Sequence, residues 1–307
     1  RWIDQYHLYV GRIHKTPVLK GPRVYQTLTP QRALCYDRAP AECPDIIMEP
    51  MVNIALRAAR KAGNLIARAS DDLTRLRFEA KGKADFVTEV DLASEQELII
   101  NLQKTYPDHA FICEESGRTG PEDAEFVWII DPLDGTSNFM RGIPHYCISM
   151  ACVRNGKLEH AIILDPVRQE EFTASRGRGA QLNGRRIRVS DRTDLKECLI
   201  GTGTPFLGQS DDRMDWYLRG LGEVAGNSMG IRRAGAAALD LAYVAAGRLD
   251  GFWEAGLKPW DLAAGTLLVR ESGGLVTDFK GSDNVLDGGD IICANPRLLK
   301  QLAAAIR

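Results

Sequence analysis

FVWIIDPLDGTSNFMRG, residues 126–142, is the stretch on which the reading of the whole chain turns. The apolar run 126–130 predicts a buried strand that stops at Asp131, turns through Pro132 and Gly135, and opens a short helix near Thr136. Asp131 and Asp134 flank a proline that lacks an N–H and fixes its own φ, so the turn is stiff before any ligand arrives. Thr136 adds a hydroxyl two residues on. The same residues would also serve ordinary Asx-turn bonds and a helix cap, so this turn alone does not separate a structural role from a metal or phosphate site.

Outward from that turn, composition sets the limits. A chain of 307 residues buries a sizeable core in one large domain or two modest ones. Charged residues at 26%, hydrophobic residues at 44% and a formal charge of -2 are ordinary globular values, with no global pull toward nucleic acid or anionic membrane. There is no apolar run long enough for a membrane-spanning helix and no signal-peptide pattern, which makes the cytoplasm the expected location. Cys35, Cys43, Cys113, Cys147, Cys152, Cys198 and Cys293 are scattered without a CxxC pair, as reduced, buried thiols would be. Histidine chemistry has few candidates in the body: His109, His145 and His160.

Residues 1–47 differ in character from the rest of the chain. They carry prolines at 17, 22, 30, 40 and 44, seven Lys or Arg against four Asp or Glu, and no sustained period. We read them as an extraneous or disordered segment, with Met48 or Met51 as the natural start and a genuine N-terminal arm as the alternative. From 51 to 69 the stripe Val52, Leu56, Ala59, Gly63, Ile66 predicts an amphipathic packing helix. KGKADFVTEVD, 81–91, reads as a Gly-Lys loop and a short extended segment, with Asp91 as N-cap of a helix over 92–104. A strand at 111–113 delivers Glu114 and Glu115 side by side; extended backbone turns one of them inward, where it needs a partner. Strands are expected over 145–153, 158–164, 170–174 and 181–189, with a hairpin at Asp165-Pro166. A second subregion begins near 190–200. It holds strands at 198–202, 250–254, 275–279 and 290–293, and helices at 212–224, 236–246, 261–272 and 296–306. Gly235 sits at the N-terminal entrance of the 236–246 helix, where free N–H groups point at an anion or a hydroxyl. These elements make an α+β layered body.

Acidic residues fall at strand ends or helix starts at Asp91, Glu114, Asp131 with Asp134, Glu254 and Asp261. Each alone reads as a cap or a solvated turn; together they suggest a site for a hard cation, and clustered Cys or His for a soft metal is lacking. Glu114-Glu115-Ser116, WIIDPLDGTSNF (128–139) and WDLAAG (260–265), in this order, closely resemble the inositol monophosphatase family of magnesium-dependent phosphatases. The likeness covers nearly all of 48–307, and KGKADFVTEVD and RRAGAAALDLAYVAAGRLDGFWE tie it to a bacterial branch of that family.

The resemblance implies an αβαβα sandwich of the sugar-phosphatase type. It implies Mg2+, two or three ions per site, on Glu114, Asp131, Asp134, Asp261 and the Leu133 carbonyl. Asp91 and Thr136, with Glu114, would orient and help deprotonate a metal-activated water that attacks directly, without a phosphoenzyme. Asp134, Gly135, Thr136, Gly235, Ala236, Ala237 and Glu254 would form the substrate pocket, with Ala236 standing where many relatives carry Ser or Thr. Lys81 matches the family's mobile-loop lysine, with Lys83 competing. Myo-inositol 1-phosphate is the expected substrate, lithium the expected inhibitor and a homodimer the expected assembly; fructose bisphosphate, adenosine bisphosphate and histidinol phosphate are the alternatives. The bacterial branch also implies contact with the transcription machinery on ribosomal RNA operons, for which Arg232 with Arg233, or Arg176, Arg178, Arg185, Arg186 and Arg188, would offer a basic patch. An aspartyl-phosphate phosphatase, DxDxT, is the nearest chemical rival, but DPLDGT is one residue longer, which displaces the second carboxylate.

Overall fold

Alternate residues along the central strands face two different apolar cores. On β5 (Phe126–Asp134), Trp128 and Ile130 enter one core while Ile129 enters the other. β6 (Cys147–Arg154) repeats the pattern with Ile148, Met150 and Cys152 against Cys147 and Ala151. A strand buried on both faces must lie in a sheet covered on both sides. This structure, a computed structural model, describes residues 49–73, 78–82, 85–205 and 211–307, with the side chains of 78–82, 85–87 and 211–212 outside that description. The segment 1–47 and Lys83 lie outside the described residues, as does the side chain of Lys81.

In chain order, α1 (Pro50–Ser70) comes first, with the expected stripe Val52, Leu56, Ala59, Gly63 and Ile66 buried. β1 (Phe78–Gly82) and β2 (Asp85–Thr88) pair antiparallel: β2 falls on the expected short extended segment, and β1 runs through Lys81 and Gly82, where the Gly-Lys loop was expected. α2 (Glu89–Thr105) is next; its N-cap is Thr88, and Asp91 is the third helical residue of a capping box rather than the cap itself. β3 (Ala110–Cys113), β4 (Gly117–Thr119) and β5 lead to α3 (Thr136–Met140). β6, β7 (Lys157–Asp165), β8 (Glu170–Ser175), β9 (Gly179–Leu182) and β10 (Arg185–Arg186) complete an eight-stranded sheet in the order β10-β9-β8-β7-β6-β5-β3-β4, antiparallel except for β3 beside β5. The single strand expected over 181–189 is instead a β9–β10 hairpin, because Asn183 (φ 49) and Gly184 (φ 76) reverse the chain.

A smaller sheet, in the order β12-β11-β13-β15-β14, is built from β11 (Leu199–Thr202), β12 (Gly230–Arg232), β13 (Gly251–Glu254), β14 (Leu275–Thr277) and β15 (Ile291–Ala294). Its helices are α4 (Asp211–Asn227), α5 (Ala237–Ala245), α6 (Pro259–Glu271), α7 (Val285–Gly288) and α8 (Leu298–Ala305). α1 and α2 cover the outer face of the large sheet, α5 and α6 fill the space between the sheets, and α4 and α8 cover the far face of the small one. Three cores separate these layers: one under α1 and α2, one around α5 and α6, one under α4 and α8. The expected αβαβα sandwich is what the chain forms. The described cysteines, Cys113, Cys147, Cys152, Cys198 and Cys293, are all free and buried. Among the described residues no helix is long and apolar enough to cross a membrane.

Candidate active site

Strand geometry, rather than a turn after the strand, brings the two aspartates together. β5 does not end at Asp131 but continues to Asp134, and its register slips between them: Asp131 pairs with Ser149 and Asp134 with Cys147. Two residues on β5, Pro132 and Leu133, therefore oppose one on β6, Ile148, which is a bulge. In a regular strand, positions three apart face opposite sides of the sheet; the extra residue puts both carboxylates on the side of Ser149 and Cys147, toward α5 and α6. Proline fits this place because a bulged residue needs no ladder hydrogen bond.

The turn is then locked by short bonds. Asp131, 2% exposed, accepts the Leu133 N–H at 2.9 Å, so the expected Asx-type bond is present alongside any further role. Gly135 has φ 94, and a Cβ there would lie 3.0 Å from the His145 carbonyl oxygen and 3.2 Å from Ala236 Cβ. Thr136 Oγ1 lies 2.9 Å from Asp91 Oδ1 and 3.0 Å from the Leu133 carbonyl oxygen. Asp91 is 1% exposed; its other oxygen accepts from the backbone N–H and hydroxyl of Thr88. Burial raises the Asp91 carboxyl above its ordinary value, opposed by the bonds from Thr88 and Thr136.

The other acids, Glu114, Asp261 and Glu254, approach from three elements. Glu114 leaves the end of β3, held by its N–H to the Ile130 carbonyl at 3.1 Å. Asp261 is the third residue of α6 and accepts the Lys258 N–H at 2.8 Å, while Ser149 ties the same helix start to β6 through the Trp260 carbonyl at 3.0 Å. Asp134 Oδ2 accepts the Ala238 N–H at 2.8 Å, from the first turn of α5. That bond supplies the cap that Ala236, lacking a side-chain oxygen, cannot; it also uses one of the N–H groups that the sequence offered to a ligand. Glu254, at the end of β13, lies against Gly203, where any Cβ would meet its carboxylate within 2.2 Å. Gly235, at φ 92, stands beside Asn138, whose amide bridges the His145 and Ala234 carbonyls at 2.8 Å each, and Ala236, 1% exposed, packs toward Gly135.

Burial raises the Asp131 carboxyl well above its ordinary value, and the Glu114, Asp134 and Asp261 charges add to it. Asp134 is raised the same way, by burial and then by Asp261. Glu254 is also raised, by burial and then by Asp261, Asp240 and Asp134. The four acids expected to act together thus share one electrostatic neighbourhood with Glu254 at its edge. Among the described residues, no three or more His, Cys, Asp or Glu side chains are drawn close enough to hold a metal ion. The donor set still fits a hard cation: every group offered is a carboxylate or carbonyl oxygen, and the mutual repulsion is what a bound cation would relieve.

Of the described histidines, His109 and His160 are engaged by other partners. His109 stacks between Tyr106 and Phe126 and accepts from Trp128, His160 meets Ser175 at 2.9 Å on β7 and β8, and His145 faces the buried Asp240 at 3.3 Å. Sequence reasoning passed over Ser94 and Glu95 on α2 and Gly203. The available signal was two polar residues interrupting the apolar stripe that continues through Leu98 and Leu102.

Comparison with known proteins agrees with this architecture. The inositol monophosphatase family model matches residues 47–307. The Nus factor SuhB of Pseudomonas aeruginosa is 55% identical over 262 residues, covering 85% of this chain and 97% of that protein. The crystal structure of the extragenic suppressor protein suhB from Bartonella henselae superposes with a TM-score of 0.82 at 43% identity, over 84% of this chain and 99% of that one. An inositol monophosphatase from Anabaena gives a TM-score of 0.74 at 34% identity, over 83% and 94%. The chain belongs to the inositol monophosphatase family and is of its SuhB type.

Proposed function

We propose that the chain is a magnesium-dependent phosphatase that hydrolyses a phosphate monoester, with myo-inositol 1-phosphate as substrate. Glu114, Asp131, Asp134, Asp261 and the Leu133 carbonyl would hold two or three Mg2+ ions. Such ions, when bound, neutralise the phosphoryl oxygens and raise the acidity of water. One observation carries the reading: the Thr136 hydroxyl lies within hydrogen-bond distance of two acceptors, Asp91 Oδ1 and the Leu133 carbonyl, on the same bulged turn as Asp131 and Asp134. A hydroxyl has one proton to give, so when Thr136 donates to Asp91 Oδ1 its lone pairs face an incoming water. As that water attacks phosphorus, its proton passes to Thr136 Oγ1 while the Thr136 proton passes to Asp91, whose raised proton affinity suits the task. The P–O ester bond breaks, the polyol oxygen takes its proton from solvent water as it leaves, and Asp91 returns the proton it gained to solvent. Glu254 and the backbone at Gly235, Ala236 and Ala237 would bind substrate hydroxyls.

Phosphate release from myo-inositol 1-phosphate, fructose bisphosphate, adenosine bisphosphate and histidinol phosphate, with and without Mg2+, tests the proposal. Magnesium-dependent release fastest from the inositol ester supports it; no release from any of them refutes it. Lithium should inhibit, and the active species is proposed to be a cytoplasmic homodimer.

A second reading, contact with the transcription machinery, draws on the relatives that bear the name Nus factor and on Arg185 and Arg186, exposed on the edge strand β10. Arg176 and Arg178 are engaged by Glu159 and Glu49 at 2.9 and 2.8 Å, which narrows the basic patch expected from the sequence. Complementation of a deletion strain with Asp134→Asn separates the readings: full rescue assigns the physiological role to contact, and failure assigns it to hydrolysis.

A further inference from the structure

The first two turns of α2 bury three polar side chains in a row where its inward face would otherwise be apolar. Asp91, Ser94 and Glu95 are 1%, 0% and 3% exposed, and Leu98 and Leu102 continue the same face. Burying polar groups costs free energy unless each finds a partner, so their partners show what the helix is for. Asp91 takes the Thr136 hydroxyl. Ser94 Oγ donates to the Pro132 carbonyl at 2.8 Å, inside the bulge between Asp131 and Asp134. Glu95 accepts the Glu115 N–H on Oε2 and the Ser116 N–H on Oε1, both at 2.9 Å. One rigid helix thereby grips the two segments that carry the acids: the 131–136 bulge on one side and the loop behind Glu114 on the other.

We propose that Glu95 is a positioning residue for the cation site, and that its two-point hold on the Glu115 and Ser116 N–H groups, together with the hold of Ser94 on Pro132, sets the separation of Glu114 from the Asp131–Asp134 pair. The inference rests on the phosphatase reading above. Its chemistry is specific to a carboxylate. Two adjacent N–H donors need two acceptor oxygens held in one plane, and a buried carboxylate supplies them as charge-assisted bonds. Glutamine has the same shape but turns an –NH2 toward one of those donors, so one contact becomes donor against donor. Packing of α2 on β5 would survive that change, because Leu98 and Leu102 carry it. The spacing of Glu114 would not.

The test is the affinity of the full-length protein, without substrate, for Mn2+ followed by electron paramagnetic resonance, compared between wild type, Glu95→Gln and Ser94→Ala. Groups that orient ligands from behind typically change metal affinity about 10- to 100-fold. Glu95→Gln should weaken Mn2+ binding about tenfold or more and Ser94→Ala by less. Turnover lost in Glu95→Gln should return as Mg2+ is raised by a similar factor, which a merely misfolded protein would not show. If Glu95→Gln does not fold, Glu95→Asp, which keeps the charge but reaches one N–H, takes its place with the same expectation. Wild type that binds Mn2+ while the Glu95 variant binds it equally well overturns the positioning role and leaves the phosphatase reading standing. Wild type that binds no Mn2+ overturns both.

Discussion

Replacing Gly135 with alanine probes the bulged turn at the point where sterics leave no alternative residue. Its φ of 94 lies in the left-handed region, which costs a non-glycine residue about 1–2 kcal/mol. The added Cβ would lie 3.0 Å from the His145 oxygen, 3.2 Å from Ala236 Cβ and 3.2 Å from Tyr146 Cβ. Two of these neighbours are tied in place, the His145 carbonyl by Asn138 and Ala236 by its burial in the central core. Overpacking of this kind costs about 1–3 kcal/mol, so the two penalties sum to about 2–5 kcal/mol. For a domain of this size, that corresponds to a fall in melting temperature of about 4–20 °C. Thermal unfolding followed by circular dichroism reads it directly. A fall smaller than about 2 °C would refute the left-handed, closely packed turn, and with it the reason for glycine at this position.

Thr136→Val keeps the shape of the side chain and removes the hydroxyl, leaving Asp91 Oδ1 without its donor. It should cost about 1–3 kcal/mol in melting experiments, and turnover should fall about 100-fold or more while Thr136→Ser stays close to wild type. A valine variant at wild-type rate would remove Thr136 from proton transfer. In the metal-free protein the carboxyls of Asp131, Asp134 and Glu254, raised well above their ordinary values, outweigh the lowered His109 and His160, whose contribution has the opposite sign. Above the carboxyls' ordinary values of 3.8 and 4.5, the unfolded chain has released protons that the folded state still holds, so stability falls as pH climbs from about 4. Melting scans in chelator from pH 4 to 8 should show that decline and added Mg2+ should reverse it; a metal-free stability that rises across the same range contradicts the electrostatic picture.

The sequence made the layers legible because each carries a clean period. The α1 stripe Val52 to Ile66 and the apolar runs of β5 to β8 are local signals, and hydrophobic period reads them without knowledge of the partner surface. The site residues came from a resemblance spread over three motifs, since Glu114, Asp131 and Asp261 are individually ordinary acids at element ends. What stayed hidden was set by register and by long-range partners. The bulge at Pro132 is a relation between β5 and β6, so the sequence suggested a turn where the structure has a strand that slips by one residue. Asp91 was read as a cap because Thr88, the true N-cap, closes a box with it that a single-position reading does not see. Gly203 showed no local sign, because its requirement comes from Glu254, which reaches it from another strand.

Glu114 and Asp261, far apart in the chain, are proposed to act with the Asp131–Asp134 bulge as one hydrolytic centre. A double-mutant cycle of Glu114→Gln and Asp261→Asn on kcat/KM for myo-inositol 1-phosphate, at saturating Mg2+, tests this most directly. Residues that act as a unit lose most of their contribution with the first substitution. For a single centre, the double variant should be little worse than the poorer single variant. Losses that multiply, as for independent sites, would contradict it.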